Sequence, residues 1–270
     1  MRVLDLFSGI GGISLGLERA GMKTVAFVEN DELCQKVLKK NRPDVPIYGD
    51  IRRLTNYGLG GGMFYEEAGD SWPTPVNSKY HSGSLIDLVC GGYPCTGHSV
   101  AGKKDGFKDE GSALWEEYHR VVKEIRPKFC LLENSPNLRN TGLEKLLKAF
   151  SEIGYNAEWQ VTSGYSVGSP HQRERFYCVF WREDVPYSDP FRLWRATTEA
   201  KEKSEWWSER PFSFRGLFEQ IRGIKPSVRR GTDGVSFRLD FPRRDRIKQL
   251  GNAAMPQISE LIGKQLMEVV

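Results

Sequence analysis

Short apolar runs alternate with amphipathic stretches through the first two thirds of the chain, the pattern of βαβ units wound around a parallel sheet. Val3-Leu4-Asp5-Leu6-Phe7 predicts a strand, Gly12 to Ala20 a helix, Thr24 to Glu29 a strand, and Asp31 to Asn41 a helix that Asp31 is placed to cap. Ile47-Tyr48-Gly49-Asp50 predicts a short third strand. Residues 55 to 84 interrupt the pattern with Gly60-Gly61-Gly62 and Trp72-Pro73-Thr74-Pro75, and predict a long loop or insertion. Periodicity returns with Leu85 to Cys90 as a buried strand, a helix from about Ala113 to Ile125, a strand ending at Glu133, and a helix from about Leu143 to Ile153. Tyr155 to Thr162 and Phe176 to Trp181 predict two more strands, antiparallel to each other. A last helix, Pro256 to Val269, carries apolar positions at 258, 261, 262, 266 and 269 that need a core to pack on.

The expected class is therefore α/β. At 270 residues and 39% hydrophobic, the chain can hold one large domain, or that domain and a small one. Beyond Pro186 the composition turns to Trp, Arg, Glu and Phe without a period. The expected division is a catalytic and cofactor-binding domain at 1–184, a small domain at 185–245, and a segment at 246–270 returning to the first.

The formal charge of +4 is unevenly spread, because residues 192 to 248 hold 15 Lys and Arg against 8 Asp and Glu. Such a basic segment on a slightly acidic body suggests a polyanion-binding surface. No apolar run reaches the roughly 20 residues of a membrane span, and Met1-Arg2-Val3-Leu4-Asp5 carries an acid where a signal sequence stays apolar. A cytoplasmic protein without membrane contact is expected. The five cysteines form no CxxC pair and no Cys/His cluster, so neither disulfides nor a metal is expected. Cys90, Cys130 and Cys178 fall inside apolar runs and read as inert buried thiols, whereas Cys95 follows Gly91-Gly92-Tyr93-Pro94 and lies on a loop.

Ser8-Gly9-Ile10-Gly11-Gly12 lies between the first strand and the first helix, where glycines let backbone N–H groups approach a ligand. Glu29, 20 residues beyond Gly9, ends the second strand, a position from which a carboxylate can accept from both hydroxyls of a ribose. Ser14 stands where the dinucleotide fingerprint needs its third glycine, and no Walker-type Gly-Lys-Ser/Thr run occurs. S-adenosylmethionine, which has a ribose and no phosphate, fits what remains.

Cys95 and Glu133 then make a thiol and a carboxylic acid at neighbouring strand ends. Thiolate addition at C6 of a pyrimidine converts C5 into a nucleophile, and an acid held near neutrality can assist at N3. With Arg173 and Arg175 alternating at the start of an apolar strand, on one face, the ordered motifs resemble the DNA (cytosine-5) methyltransferase family of bacterial or phage type. They are Asp5 to Gly12, Glu29, Gly49-Asp50-Ile51, Gly92-Tyr93-Pro94-Cys95, Glu133-Asn134, His171-Gln172-Arg173-Glu174-Arg175 and Gln249-Leu250-Gly251-Asn252.

The resemblance implies a Rossmann-like S-adenosylmethionine-dependent methyltransferase fold with a small target-recognition domain. It makes Cys95 the nucleophile, puts Glu133 on the cytosine N3 and amine, Arg175 on the O2, and Arg173 in support of the same pocket. It implies that Phe7, Ser8, Gly9, Ile10, Gly11, Glu29, Asn30, Asp50, Ile51, Pro94, Leu114, Asn252 and Ala253 line the cofactor. The chain departs from the family pattern at Thr96, where Gln is usual, at Ser135 for Val, and at Gly111 for Arg.

The expected partner is double-stranded DNA with the target cytosine flipped from the stack, engaged by a monomer and closed over by the loop from Thr96 to Gly111. Arg229, Arg230, Arg238, Arg243 and Arg244 are candidates for phosphate or base contacts. A bacterial cell or a phage-infected host, and a restriction-modification role, are the implied setting. An RNA (tRNA) cytosine C5 methyltransferase and a DNA-binding protein with lapsed catalysis are the alternatives.

Overall fold

The computed structural model describes residues 1–56, 63–65, 74–75, 86–94, 114–167, 169, 173–187 and 252–269. The segment expected to read DNA from residue 188 on, the loop beginning at Thr96, and Cys95 itself lie outside the described residues, as do Gly111, His171 and Gln172.

A seven-stranded sheet forms the centre. Its strands are β1 (Arg2–Leu6), β2 (Lys23–Val28), β3 (Ile47–Tyr48), β7 (Leu88–Gly91), β8 (Phe129–Asn134), β9 (Tyr155–Thr162) and β10 (Arg175–Arg182). They lie in the order β3-β2-β1-β7-β8-β10-β9. The first five are parallel. β10 runs antiparallel between β8 and β9, so the expected antiparallel pairing of the last two strands is present.

The periodic stretches are helices: α1 (Gly12–Arg19), α2 (Glu32–Asn41), α3 (Trp115–Ile125), α5 (Leu143–Glu152) and α6 (Pro256–Met267). Asp31 caps α2 as expected, accepting from the N–H groups of Leu33 and Cys34 at 2.9 and 3.1 Å. A short helix α4 (Leu138–Thr141) follows β8 and was not apparent from the periodicity. The segment 55–84, expected as a long loop or insertion, contributes paired strands outside the main sheet: β4 (Leu54–Asn56), β5 (Met63–Tyr65) and β6 (Thr74–Pro75) form a small antiparallel sheet. Pro75 sits in its edge strand, where a missing N–H breaks no interior ladder.

The alternation of the strands divides the core in two. Leu4, Leu6, Val89, Cys130, Leu132, Phe176 and Phe180 meet Tyr118 and Val122 of α3 and Leu146 and Phe150 of α5. Phe150 stacks on Phe180 with ring centroids 3.9 Å apart. On the other face Val3, Cys90, Leu131, Tyr177 and Val179 meet Ile13 and Leu17 of α1 and Ile258, Ile262 and Leu266 of α6. The last helix thus packs on the first, as its apolar positions require. The backbones come close: a Cβ on Gly16 would lie 2.1 Å from the Pro256 carbonyl oxygen. Among the described residues no helix is long and apolar enough to cross a membrane.

Candidate active site

Strand order reverses direction between β1 and β7, and a parallel sheet opens a crevice at the carboxyl ends of such strands. Among the described residues, those that the motifs single out collect along this edge.

At the end of β1 the chain turns sharply. Phe7, Gly9 and Gly11 all have positive φ, 52°, 55° and 83°, conformations that glycine adopts freely and phenylalanine only under constraint. A Cβ at Gly9 would meet nothing within 4 Å, so the space over the turn is open. Ser8 holds the turn from within, its hydroxyl donating to the Asp5 carbonyl at 2.7 Å. The Glu29 carboxylate lies across the same turn, accepting from the N–H of Gly9 and the N–H of Asp31, each at 2.7 Å. Burial raises its pKa, against the pull of those N–H donors. Each carboxylate oxygen has a second lone pair, so Glu29 can fix the turn and still accept from a ligand hydroxyl. An open glycine turn faced by a buried acid can accept from the hydroxyls of a ribose.

The other expected cofactor residues divide. Asn30, Pro94 and Asn252 are exposed, and Leu114 is half-buried against the core. Ile51 is core. Asp50 caps the turn Ile51–Arg53 and pairs with Arg52 at 2.5 Å, a contact that lowers its pKa. Ile10 and Ala253 pack together with Cys34 and Val37 of α2.

Beneath the turn lies Asp5, 1% exposed on the sheet face shared with Val3. Burial pushes its carboxyl up to about 7, opposed by the Ser14 hydroxyl and the Cys90 thiol and reinforced by the charge of Glu29. The sequence marks Asp5 as the start of the Asp5 to Gly12 motif, but not that it is buried.

At the next two strand ends, β7 leads through Gly92-Tyr93-Pro94 towards Cys95, and β8 ends in Glu133-Asn134. Gly92 passes so close to Glu133 that a Cβ would stand 2.7 Å from its Oε2. Asn134, which the sequence marks only as the neighbour of Glu133, ties the two ends together: its Nδ2 donates to the Tyr93 carbonyl at 3.1 Å and its Oδ1 accepts from the Ser135 N–H at 2.8 Å. Ser135 then begins the turn into α4, its hydroxyl oxygen accepting from the Asn137 N–H at 3.4 Å.

Glu133 is buried, and burial raises its carboxyl above the ordinary range, while Arg175 and then Arg173 pull the other way. Arg175 Nε lies 3.1 Å from Glu133 Oε1. Tyr177, directly opposite Glu133 in the ladder, is fully buried, and burial raises its phenol. The two arginines expected in one pocket differ in their partners. Arg175 meets Glu133, whereas Arg173 Nη2 donates to the Ala253 carbonyl.

Cys34, Cys90, Cys130 and Cys178 are buried, and burial raises the thiols of the last three, in line with inert core cysteines. Among the described residues no group of His, Cys, Asp and Glu is arranged to hold a metal ion.

Comparison with known proteins agrees with this arrangement. The family described as C-5 cytosine-specific DNA methylase matches residues 1–230. The chain is 36% identical over 185 residues to the Type II methyltransferase M.CviJI of Paramecium bursaria Chlorella virus IL3A, covering 68% of this chain and 44% of that protein. It therefore spans less than half the length of that relative. It is 28% identical over 263 residues to the Type II methyltransferase M.AquIA of a Picosynechococcus species, covering 93% of this chain and 98% of that one. Among solved structures, the Dnmt2 methyltransferase of S. pombe superposes with a TM-score of 0.64 at 14% identity over 99% of each chain, a likeness of fold. The sheet is that of the Rossmann-like S-adenosylmethionine-dependent methyltransferases, and with a family match reaching from residue 1 to residue 230 the chain belongs to the C-5 cytosine-specific DNA methylases.

Proposed function

We propose that the protein is a site-specific DNA cytosine C5 methyltransferase that uses S-adenosylmethionine. The observation that carries this reading is the buried Glu133 carboxyl, raised by desolvation and held by Arg175 at the end of β8, beside the strand end that runs into Cys95. Family membership and the similarity to Type II DNA methyltransferases support the choice of substrate.

In this reading the open turn at Gly9 and Gly11, the acid of Glu29, the strand end at Asp50 and the start of α3 at Leu114 hold the cofactor, with Asn252 and Ala253 closing the far side. The cofactor supplies an electrophilic methyl group. The protonated form of Glu133, which burial favours, donates to N3 of a flipped cytosine and withdraws electron density from C6. The Cys95 thiolate forms a bond to C6, and the electrons of the C5–C6 double bond become available at C5. Once C5 carries the methyl group, its proton leaves to a base, the double bond re-forms, and the thiolate departs from C6. Arg175 orients Glu133 and donates to the O2 of the base. Residues 185–245 are proposed as the part that reads the DNA sequence, supported by their charge.

Bisulfite sequencing of plasmid from cells expressing the protein tests activity and recognition site together. A duplex carrying 5-fluorocytosine at the site so found is expected to give a denaturation-stable adduct with the wild type and none with Cys95→Ala. No methylated cytosine in the plasmid, with transfer to tRNA instead, would overturn the DNA reading. Methylation without a trappable adduct would overturn the covalent step.

A further inference from the structure

We infer that Arg173, besides the charge it presents to Glu133, is a positioning residue of the cofactor side of the site, acting through the segment Ala253–Met255. This rests on the cofactor site proposed above.

Arg173 and Arg175 stand two residues apart, which in an extended chain gives them one face and invites one shared role. Their contacts separate them. Arg175 opens β10 and its Nε lies against Glu133. Arg173 precedes the strand, its backbone carbonyl accepting from the Gly164 N–H at 3.1 Å, and its guanidinium reaches across 80 positions of sequence to donate to the Ala253 carbonyl. A charged donor on a partly buried carbonyl is among the stronger hydrogen bonds a fold uses.

What that carbonyl belongs to gives the bond its consequence. Ala253 shares a buried cluster with Ile10, in the middle of the glycine turn, and with Cys34 and Val37. The next residue, Ala254, lies against Gly12, where a Cβ would stand 2.5 Å from the Ala254 oxygen. Met255 is buried in the core cluster that contains Ile13 and Leu17 of α1. A continuous series of contacts thus runs from Arg173 to Ala253, and from there to Ile10 and Gly12, the residues that shape the turn. Arg173 is the cation that fastens the entry of α6 onto it.

The test is a titration of wild type, Arg173→Met, Arg173→Lys and Arg175→Met with S-adenosylhomocysteine by calorimetry, which needs no knowledge of the DNA site. Arg173→Met is expected to bind about tenfold more weakly, as loss of one charge-assisted hydrogen bond implies. Arg173→Lys should lie between it and wild type, and Arg175→Met should bind within about twofold of wild type while losing methyl transfer. Hydrogen exchange should speed up at residues 9–14 and 252–256 in the Arg173 variants and not in Arg175→Met. If Arg173→Met does not fold, Arg173→Lys against Arg175→Lys makes the same comparison. Wild-type affinity in the Arg173 variants, or an equal loss in Arg175→Met, overturns the inference and leaves the proposed activity standing. A wild type that binds no S-adenosylhomocysteine overturns the cofactor reading, and the inference with it.

Discussion

Asp5→Asn removes one buried charge and keeps the shape of the side chain. In the wild type the carboxyl is 1% exposed, with the Ser14 hydroxyl of α1 and the Cys90 thiol of β7 as its polar neighbours and the Glu29 charge beyond β2. Its pKa rises from 3.8 to about 7, with burial the largest cause. The folded chain therefore keeps a proton that the unfolded chain has already released. The stabilising contribution is complete below about pH 3.8, declines as pH climbs, and is gone above about pH 7. An interval of roughly 3 units corresponds to about 4 kcal/mol, of which about 2.5 kcal/mol falls between about pH 5 and about pH 8. An Asn does not titrate. Urea unfolding of both proteins across that range should therefore show Asp5→Asn gaining about 2.5 kcal/mol on the wild type as pH rises. A difference between the two that stays constant across the range would refute the assignment of the slope to Asp5.

Gly92→Ala places a Cβ 2.7 Å from Glu133 Oε2 and 3.1 Å from the Glu133 carbonyl oxygen. Stability should fall by about 1–3 kcal/mol, while methyl transfer, followed with labelled cofactor and plasmid DNA, should fall roughly 100-fold as the acid is displaced. Gly16→Ala drives a Cβ to 2.1 Å from the Pro256 oxygen and 2.7 Å from the Glu260 nitrogen. Both are backbone atoms, so thermal unfolding should show a loss of about 3 kcal/mol. Native alkylation followed by peptide mass analysis should label Cys95 rapidly and leave Cys34, Cys90, Cys130 and Cys178 protected, since these four are buried. Cys95→Ser should abolish the fast phase; rapid labelling of a core cysteine would count against the packing described.

Much of the edge that carries the chemistry was legible because each strand there is a short apolar run ended by glycine or by a polar pair. Asp5 to Gly12, Glu29 and Glu133-Asn134 all announce themselves that way, and Asp31 caps its helix as a local rule requires. Strand order was not legible, since nothing local tells β10 to insert between β8 and β9. The small sheet was missed because Met63–Tyr65 and Thr74–Pro75 are too short to show a period among glycines and acids. The short helix Leu138–Thr141 was hidden by the Ser135-Pro136-Asn137 turn before it. The divergence of Arg173 from Arg175 was invisible for a different reason: the Ala253 carbonyl is a backbone atom far along the chain, and composition carries no trace of it.

The packing of α6 on α1 also sets a schedule for the nascent chain. Ile13 and Leu17 emerge from the ribosome more than 200 residues ahead of the Ile258 and Ile262 side chains that cover them. At synthesis rates of about 5–20 residues per second, the apolar face of α1 waits on the order of 10–50 s for its cover. The glycine turn is thus made long before the helix that secures it, so a partly synthesised chain holds that turn uncovered while the rest of the sheet assembles.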